Sequence, residues 1–287
     1  MTTAGGGVLE HRSPCAPAQG YKSGEKFRSG IDCFTFPRKL RTSMRILFVA
    51  DLHYSLRQFD WLTANAGLYD LVIIGGDLLD HGSALDFDVQ IVVVEKYLHR
   101  IRQKTQLLVS SGNHDGDRRN AGDESFAEWL LHSRAEGLFV DGESAVLGDT
   151  RVTACPWWDG PISRAELEQL LEREAAHKST RWIWCHHAPP ERALVSWTGM
   201  KSVGDPFLRA WIERFEPDLV LSGHIHNAPF YAPAGSWKDR IGKTWVFNPG
   251  RQLGPAPAYI ALNLDAMTAE WFSLEGQSIR DLTVADR

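Results

Sequence analysis

Short runs of β-branched and apolar residues, each stopped by a polar turn and followed by a longer helix-like stretch, limit most tightly what this chain folds into. The runs are Arg45 to Ala50, Leu71 to Ile74, Gln106 to Ser110, Arg151 to Ala154, Trp182 to Cys185, Leu219 to Leu221, Thr244 to Phe247 and Ala258 to Leu262. Helices are expected between them at Phe87 to Arg102, Glu124 to Arg134, Ser163 to His177 and Pro206 to Phe215. The alternation is a βαβ signature and predicts an α/β fold. Two helix starts carry their own chemistry. Ser163 with Glu166 three residues on reads as a capping box, and Asp205 before Pro206 reads as an N-cap followed by proline at the first helical position.

Ahead of Met44 the chain is rich in Gly, Ser, Pro, Lys and Arg and shows no periodicity, so residues 1–43 are expected to be a disordered extension. Met44 opens the first apolar run, which makes a mis-assigned start codon a reading to test. Residues 44–287 show no internal linker and are read as one domain. A formal charge of -5 without a long basic run argues against a protein that coats nucleic acid. Cys15, Cys33, Cys155 and Cys185 lack CxxC spacing, which suits a reducing cytoplasm. No apolar stretch approaches the roughly 20 residues of a membrane span, and the start of the chain lacks the pattern of a secretory signal.

The chemistry lies where the strand runs end. Asp51 and His53 follow Phe48-Val49-Ala50, Asp77 follows Val72 to Gly76, and Asn113-His114-Asp115 follows Leu107 to Gly112. His186 and His187 end Trp182 to Cys185, and His224 and His226 follow Leu219 to Gly223. In an open parallel sheet the carboxyl ends of the strands lie along one edge, so these residues are expected to converge. Neutral imidazoles and carboxylates together bind borderline divalent ions, and one aspartate can bridge two of them.

The blocks Asp51-x-His53, Gly76-Asp77-x-x-Asp80, Gly112-Asn113-His114-Asp115, His187-x-Pro189 and Gly223-His224-x-His226, in this order, resemble those of the calcineurin-like metallophosphoesterases. The resemblance runs from about Met44 to Gly250. It implies a four-layer αββα sandwich, two mixed β-sheets flanked by helices. It implies that Asp51, His53 and His226 hold one metal ion, that Asn113, His187 and His224 hold a second, and that Asp77 bridges them. The ions would be divalent, drawn from manganese, iron, zinc or cobalt, roughly 3.5 to 4 Å apart and sharing an attacking hydroxide. His114 matches the histidine that assists the leaving-group oxygen, and Asp80 the carboxylate that orients it. The implied substrate is a small phosphate ester.

Two features narrow the subclass. The second block continues Asp80-His81-Gly82 rather than Asp-Arg-Gly, and the third ends in Asp115 rather than glutamate, unlike the Ser/Thr protein phosphatases. They resemble the bacterial phosphodiesterase branch, so diesters are favoured. The alternatives are a phosphomonoesterase and a non-catalytic protein-interaction scaffold on the same fold. His-x-Pro spacing favours His187 over His186 as the ligand. Asp115 is expected to bond to the backbone of its own turn. Arg118 and Arg119 are read as solvated surface, with substrate phosphate as the alternative. Trp157 and Trp158 are read as packing, with ring stacking as the alternative. Asn248 to Arg251 resembles a stretch that closes the sheet near the site. His81, His99, His132 and His177 are expected to behave as ordinary surface histidines.

Overall fold

The computed structural model describes residues 43–177 and 179–284, so residues 1–42, most of the expected extension, lie outside the described residues. Seven strands form one mixed sheet, in the spatial order Gly276–Asp281, Thr268–Ser273, Tyr259–Asn263, Arg45–Val49, Leu71–Gly75, Gln106–Ser110 and Leu138–Phe139. Six form the second, in the order Lys238–Ile241, Thr244–Phe247, Leu219–Leu221, Arg181–Cys185, Thr150–Ala154 and Ser144–Leu147. Arg118–Arg119 and Ser125–Phe126 make a small separate hairpin.

The layering follows from the period of two along each strand, which sends successive side chains to opposite faces. Ile46 and Phe48, Leu71 and Ile73, and Leu108 enter a core between the sheets, where they meet Ile183, Cys185, Leu219, Leu221, Trp245 and Phe247. The alternate residues Leu47, Val49, Val72, Ile74, Leu107 and Val109 face outward into a second core. Helices Leu56–Asn65, Phe87–Arg102 and Glu128–His132 cover it with Phe59, Leu62, Val94, Leu98, Ile101 and Trp129. On the far side Trp184, Val220 and Val246 meet Leu167 and Leu171 of the helix Pro161–Ala175 and Leu208, Trp211 and Ile212 of Pro206–Phe215. The result is helix, sheet, sheet, helix, as expected. Each fully buried Leu, Ile or Phe contributes about 1.5 to 3 kcal/mol relative to leaving it exposed.

Within both sheets the central strands run parallel: Arg45–Val49 with Leu71–Gly75 and Gln106–Ser110, and Thr150–Ala154 with Arg181–Cys185, Leu219–Leu221 and Thr244–Phe247. Their carboxyl ends therefore deliver the polar turns together.

Two helix expectations are corrected. Glu124 to Arg134 is helical only over Glu128–His132, because Ser125–Phe126 is drawn into the hairpin with Arg118–Arg119. The helix expected from Ser163 starts at Pro161, so Ser163 is its third residue and its Oγ accepts the Asp159 and Gly160 amides. Glu166 is not its partner there. Glu124 from the hairpin accepts the Ile162 and Ser163 amides at 2.8 and 2.7 Å instead. The other start holds: Asp205 Oδ1 accepts the Phe207 and Leu208 amides at 2.7 and 3.1 Å.

Candidate metal centre

The polar turns fold back through left-handed backbone. Asp51, His53, Asp77 and His224 all have positive φ, at 56°, 40°, 54° and 64°. Such conformations cost non-glycine residues of order 1 to 3 kcal/mol each and persist only where the surroundings hold them. Here the turns lace together: the His53 amide donates to Asp77 O at 2.9 Å, and the Gly223 amide to His187 O at 2.8 Å. Close approach requires glycine at two positions. A Cβ on Gly76, φ 89°, would lie 2.5 Å from His187 Nδ1, and one on Gly112 would collide with the Asp77 carboxylate.

These turns bring all nine expected site residues to one edge. Donor atoms of Asp51, His53, Asp77 and His226 form one group, and those of Asp77, His187 and His224 another, so Asp77 belongs to both. His53 Nε2 and His226 Nε2 face each other at 3.2 Å, with Asp51 Oδ1 3.3 Å from the latter. His224 Nδ1 and Asn113 Oδ1 are 2.8 Å apart, which adds Asn113 to the second group. One oxygen, Asp77 Oδ2, lies 3.5 Å from His53 Nε2 and 3.2 Å from His187 Nε2. Its other oxygen accepts the His114 amide at 2.9 Å.

Burial opposes ionisation of Asp51, yet the His226 hydrogen bond and the nearby His187 hold its carboxyl below the usual range. Asp77 is likewise held low against burial, chiefly by His187. Burial drives His53 and His224 down to about 4, so their lone pairs are free at neutral pH. Burial also works against His187, but Asp77 and then Asp51 outweigh it and raise that imidazole to about 10. His187 Nδ1 donates to Gly75 O at 2.6 Å, and its buried Nε2 has no hydrogen-bond partner. Two ligands about 2.1 Å from one ion and 90 to 109° apart are separated by roughly 3.0 to 3.4 Å, close to the donor spacings seen here. Two buried carboxylates, neutral imidazoles and an orphaned ring nitrogen fit a divalent metal site.

His114 sits beside the first group, its ring 4.7 Å from that of His53, and burial lowers its pKa. Asp80 belongs with them in a third cluster of His53, Asp80 and His114. Among the described residues no hydrogen bond joins Asp80 to His114, and Asp80 Oδ1 accepts the Gly82 amide at 2.9 Å. His186 is buried, 3.9 Å from Asp205, with both ring nitrogens unpartnered. Asp115 does more than close its own turn. Oδ2 accepts the Gly112 amide, while Oδ1 accepts the Leu78 and Leu79 amides, tying the Asn113 turn to the Asp77 turn. Burial pushes it up to about 7. Asn248 Nδ2 donates to the carbonyls of Val195, Gly223 and Ile225, which pins the His224 turn.

Two further side chains stand against the site, a placement the sequence does not foretell. His81 is exposed, as expected, yet packs its ring 4.7 Å from that of His114 and 4.7 Å from Phe87. Trp157 stands against the second group, its ring 5.5 Å from His224 and 5.8 Å from His187. His99, His132 and His177 are exposed, as expected.

A model of calcineurin-like phosphoesterases matches residues 44–228. The chain belongs to the calcineurin-like phosphoesterase family. Membership brings metal-dependent phosphoester hydrolysis as the activity class and small phosphate esters as the substrate class. Solved structures share the fold at low identity. A protein from Thermus thermophilus, 14% identical, aligns over 84% of this chain and 100% of its own, with a TM-score of 0.50. A dimetal phosphatase from Danio rerio, 10% identical, aligns over 82% and 96%, with a TM-score of 0.51. A purple acid phosphatase from yellow lupin (Lupinus luteus) seeds, 15% identical, aligns over 84% of this chain and 52% of its own, with a TM-score of 0.50. These likenesses carry the fold and nothing finer. No curated protein matches the chain. Among the described residues no helix is long and apolar enough to cross a membrane.

Proposed function

We propose that this family member hydrolyses phosphodiesters at a binuclear centre, with Asp51, His53 and His226 holding one divalent ion, Asn113, His187 and His224 the other, and Asp77 shared. The observation that carries the reading is Asp77 Oδ2, a single oxygen facing one imidazole from each donor group. Bound ions supply the Lewis acidity that polarises the phosphoryl group and activates water at neutral pH.

The chain's own part is orientation and proton handling. The His114 amide fixes the Asp77 carboxylate, and the His224 amide, 3.1 Å from each Asp51 oxygen, fixes the other. Gly75 O holds Nδ1 of His187 so that Nε2 points at the cluster. His114 is the group that hands a proton to the departing ester oxygen or hydrogen bonds to it, with Asp80 near enough to favour its charged form. Preference for diesters rests on the Asp80-His81-Gly82 and Asn113-His114-Asp115 blocks. Residues 44–287 act as one domain in this reading, and the buried free thiols of Cys155 and Cys185 suit a reducing cytoplasm.

The test is hydrolysis of bis(p-nitrophenyl) phosphate against p-nitrophenyl phosphate by metal-stripped protein, with manganese, zinc, iron(II), cobalt or magnesium restored in turn. The expected result is metal-dependent turnover favouring the diester. A monoester preference overturns the diester assignment, and no turnover with any metal overturns the enzymatic reading.

A further inference from the structure

A cavity of about 320 Å³ opens beside the second donor group, with His224 in its wall. That is the lower end of the volume of small-molecule sites. Trp157, Trp158, Ala188, Pro189, Val203 and Pro206 supply its apolar lining. Its two carboxylates, Asp159 and Asp205, are already engaged. Asp205 Oδ1 caps a helix, its Oδ2 accepts Trp158 Nε1 at 2.7 Å, and Asp159 Oδ2 accepts the Ser125 amide at 2.9 Å. The buried carboxylate of the wall, Asp205, is therefore satisfied, and the two negative charges repel a second anion.

The position of the cavity says which part of a substrate reaches it. His114, the proposed partner of the leaving oxygen, keeps company with His53 and His81. None of these three lines the cavity, whose wall instead carries His224 and Trp157, their rings 5.5 Å apart. An ester arm departing beside His114 leaves the cavity to the other arm, the one that stays on phosphorus.

We infer that this cavity binds the retained ester arm of a phosphodiester, and that the arm it selects is a flat, uncharged ring such as an aryl group. The inference rests on the phosphodiesterase reading and deepens it. A monoester has no retained arm, so the cavity gives diesters a contact that monoesters lack. Walls that are mainly aromatic and aliphatic reward apolar area, so the selection is expressed mainly in KM.

The experiment compares phenyl p-nitrophenyl phosphate with methyl p-nitrophenyl phosphate, following p-nitrophenolate release from the metal-loaded full chain. The release step is shared, and only the retained arm differs. The parent is expected to favour the phenyl diester in kcat/KM by roughly tenfold to a hundredfold, the gain from burying one aromatic ring. Val203→Asp puts a third carboxylate into the wall, and Val203→Trp fills the space. Val203 is 38% exposed and remote from the proposed ligands in sequence, so both variants should fold. Each is expected to bring the phenyl rate constant down toward the methyl one while leaving methyl turnover within about twofold of the parent, far less than the ring-burial gain. Any intrinsic electronic advantage of the phenyl ester is common to parent and variants, so the fall in the ratio reports the cavity. Equal efficiency on both diesters in the parent, or a ratio that survives both substitutions, overturns the inference while leaving the phosphodiesterase reading intact. No turnover of either diester overturns both.

Discussion

On one side of Asp77 stands His187, wholly buried, with Nδ1 bonded to Gly75 O and Trp157 packed against it. On the other stands His226, whose side chain is 35% exposed and whose Nδ1 has no hydrogen-bond partner among the described residues. The two histidines serve donor groups that share a carboxylate, yet one imidazole is buried and held through Nδ1, whereas the other is partly exposed and held only through Nε2, against Asp51 and His53. Orientation of a ligating histidine through its second nitrogen strengthens a metal site. In the proposed centre the contrast makes the His187 side the one expected to retain its ion and the His226 side the one expected to exchange it.

The largest expected effect comes from removing what the two sides share. Asp77→Asn should abolish binuclear occupancy and cut turnover on the order of 10³-fold or more, the scale of several kcal/mol of lost charge stabilisation. Metal analysis beside diester kinetics checks this, and full occupancy with two ions in the variant would break the shared-carboxylate picture. His114→Ala probes chemistry on the open side alone. It should keep both ions and lose roughly 10²- to 10⁴-fold on alkyl diesters, with a smaller loss on nitrophenyl esters, whose leaving group needs little proton assistance. Uniform losses across leaving groups would remove His114 from that role.

Graded chelation measures the contrast directly. The loaded protein should release its ions in two stages, the first held on the order of tenfold to a hundredfold more weakly. His226→Ala should remove the weak stage, and a single-stage release would erase the distinction. The smallest effect is on stability in metal-free protein. His187→Ala leaves buried Gly75 O without its donor and removes the imidazole 3.2 Å from Asp77 Oδ2, and should cost about 1 to 3 kcal/mol, whereas His226→Ala at the open side should cost much less. Denaturant titration of the two variants side by side gives the answer, and equal midpoints would count against a sealed side.

Legibility in the sequence follows burial. Strands hidden on both faces, such as Gln106–Ser110, Leu219–Leu221 and Thr244–Phe247, have nearly unbroken apolar runs whose bounds can be read to the residue. Gly276–Asp281, an exposed edge strand of Gly, Gln, Ser, Ile, Arg and Asp, has no such signal, because its partner strand rather than its own side chains makes it a strand. The helix Leu56–Asn65 escapes the sequence pattern because few of its residues are buried: Gln58, Phe59 and Leu62. At the site, the convergence of the expected donor residues is legible because each follows a strand. His81 and Trp157 are not, since their importance lies in contacts made across the fold: His81 with His114, and Trp157 with His187 and His224.

The left-handed turns at Asp51 and Asp77 have an evolutionary consequence. Asparagine and aspartate enter that conformation more readily than other side chains bearing a Cβ, so the most accessible replacement at either position exchanges one oxygen for an NH₂ group and preserves the shape of the turn. A descendant carrying that change would keep its outline while its charge, and with it its chemistry, was gone. In this lineage, form and activity can part company by a single atom.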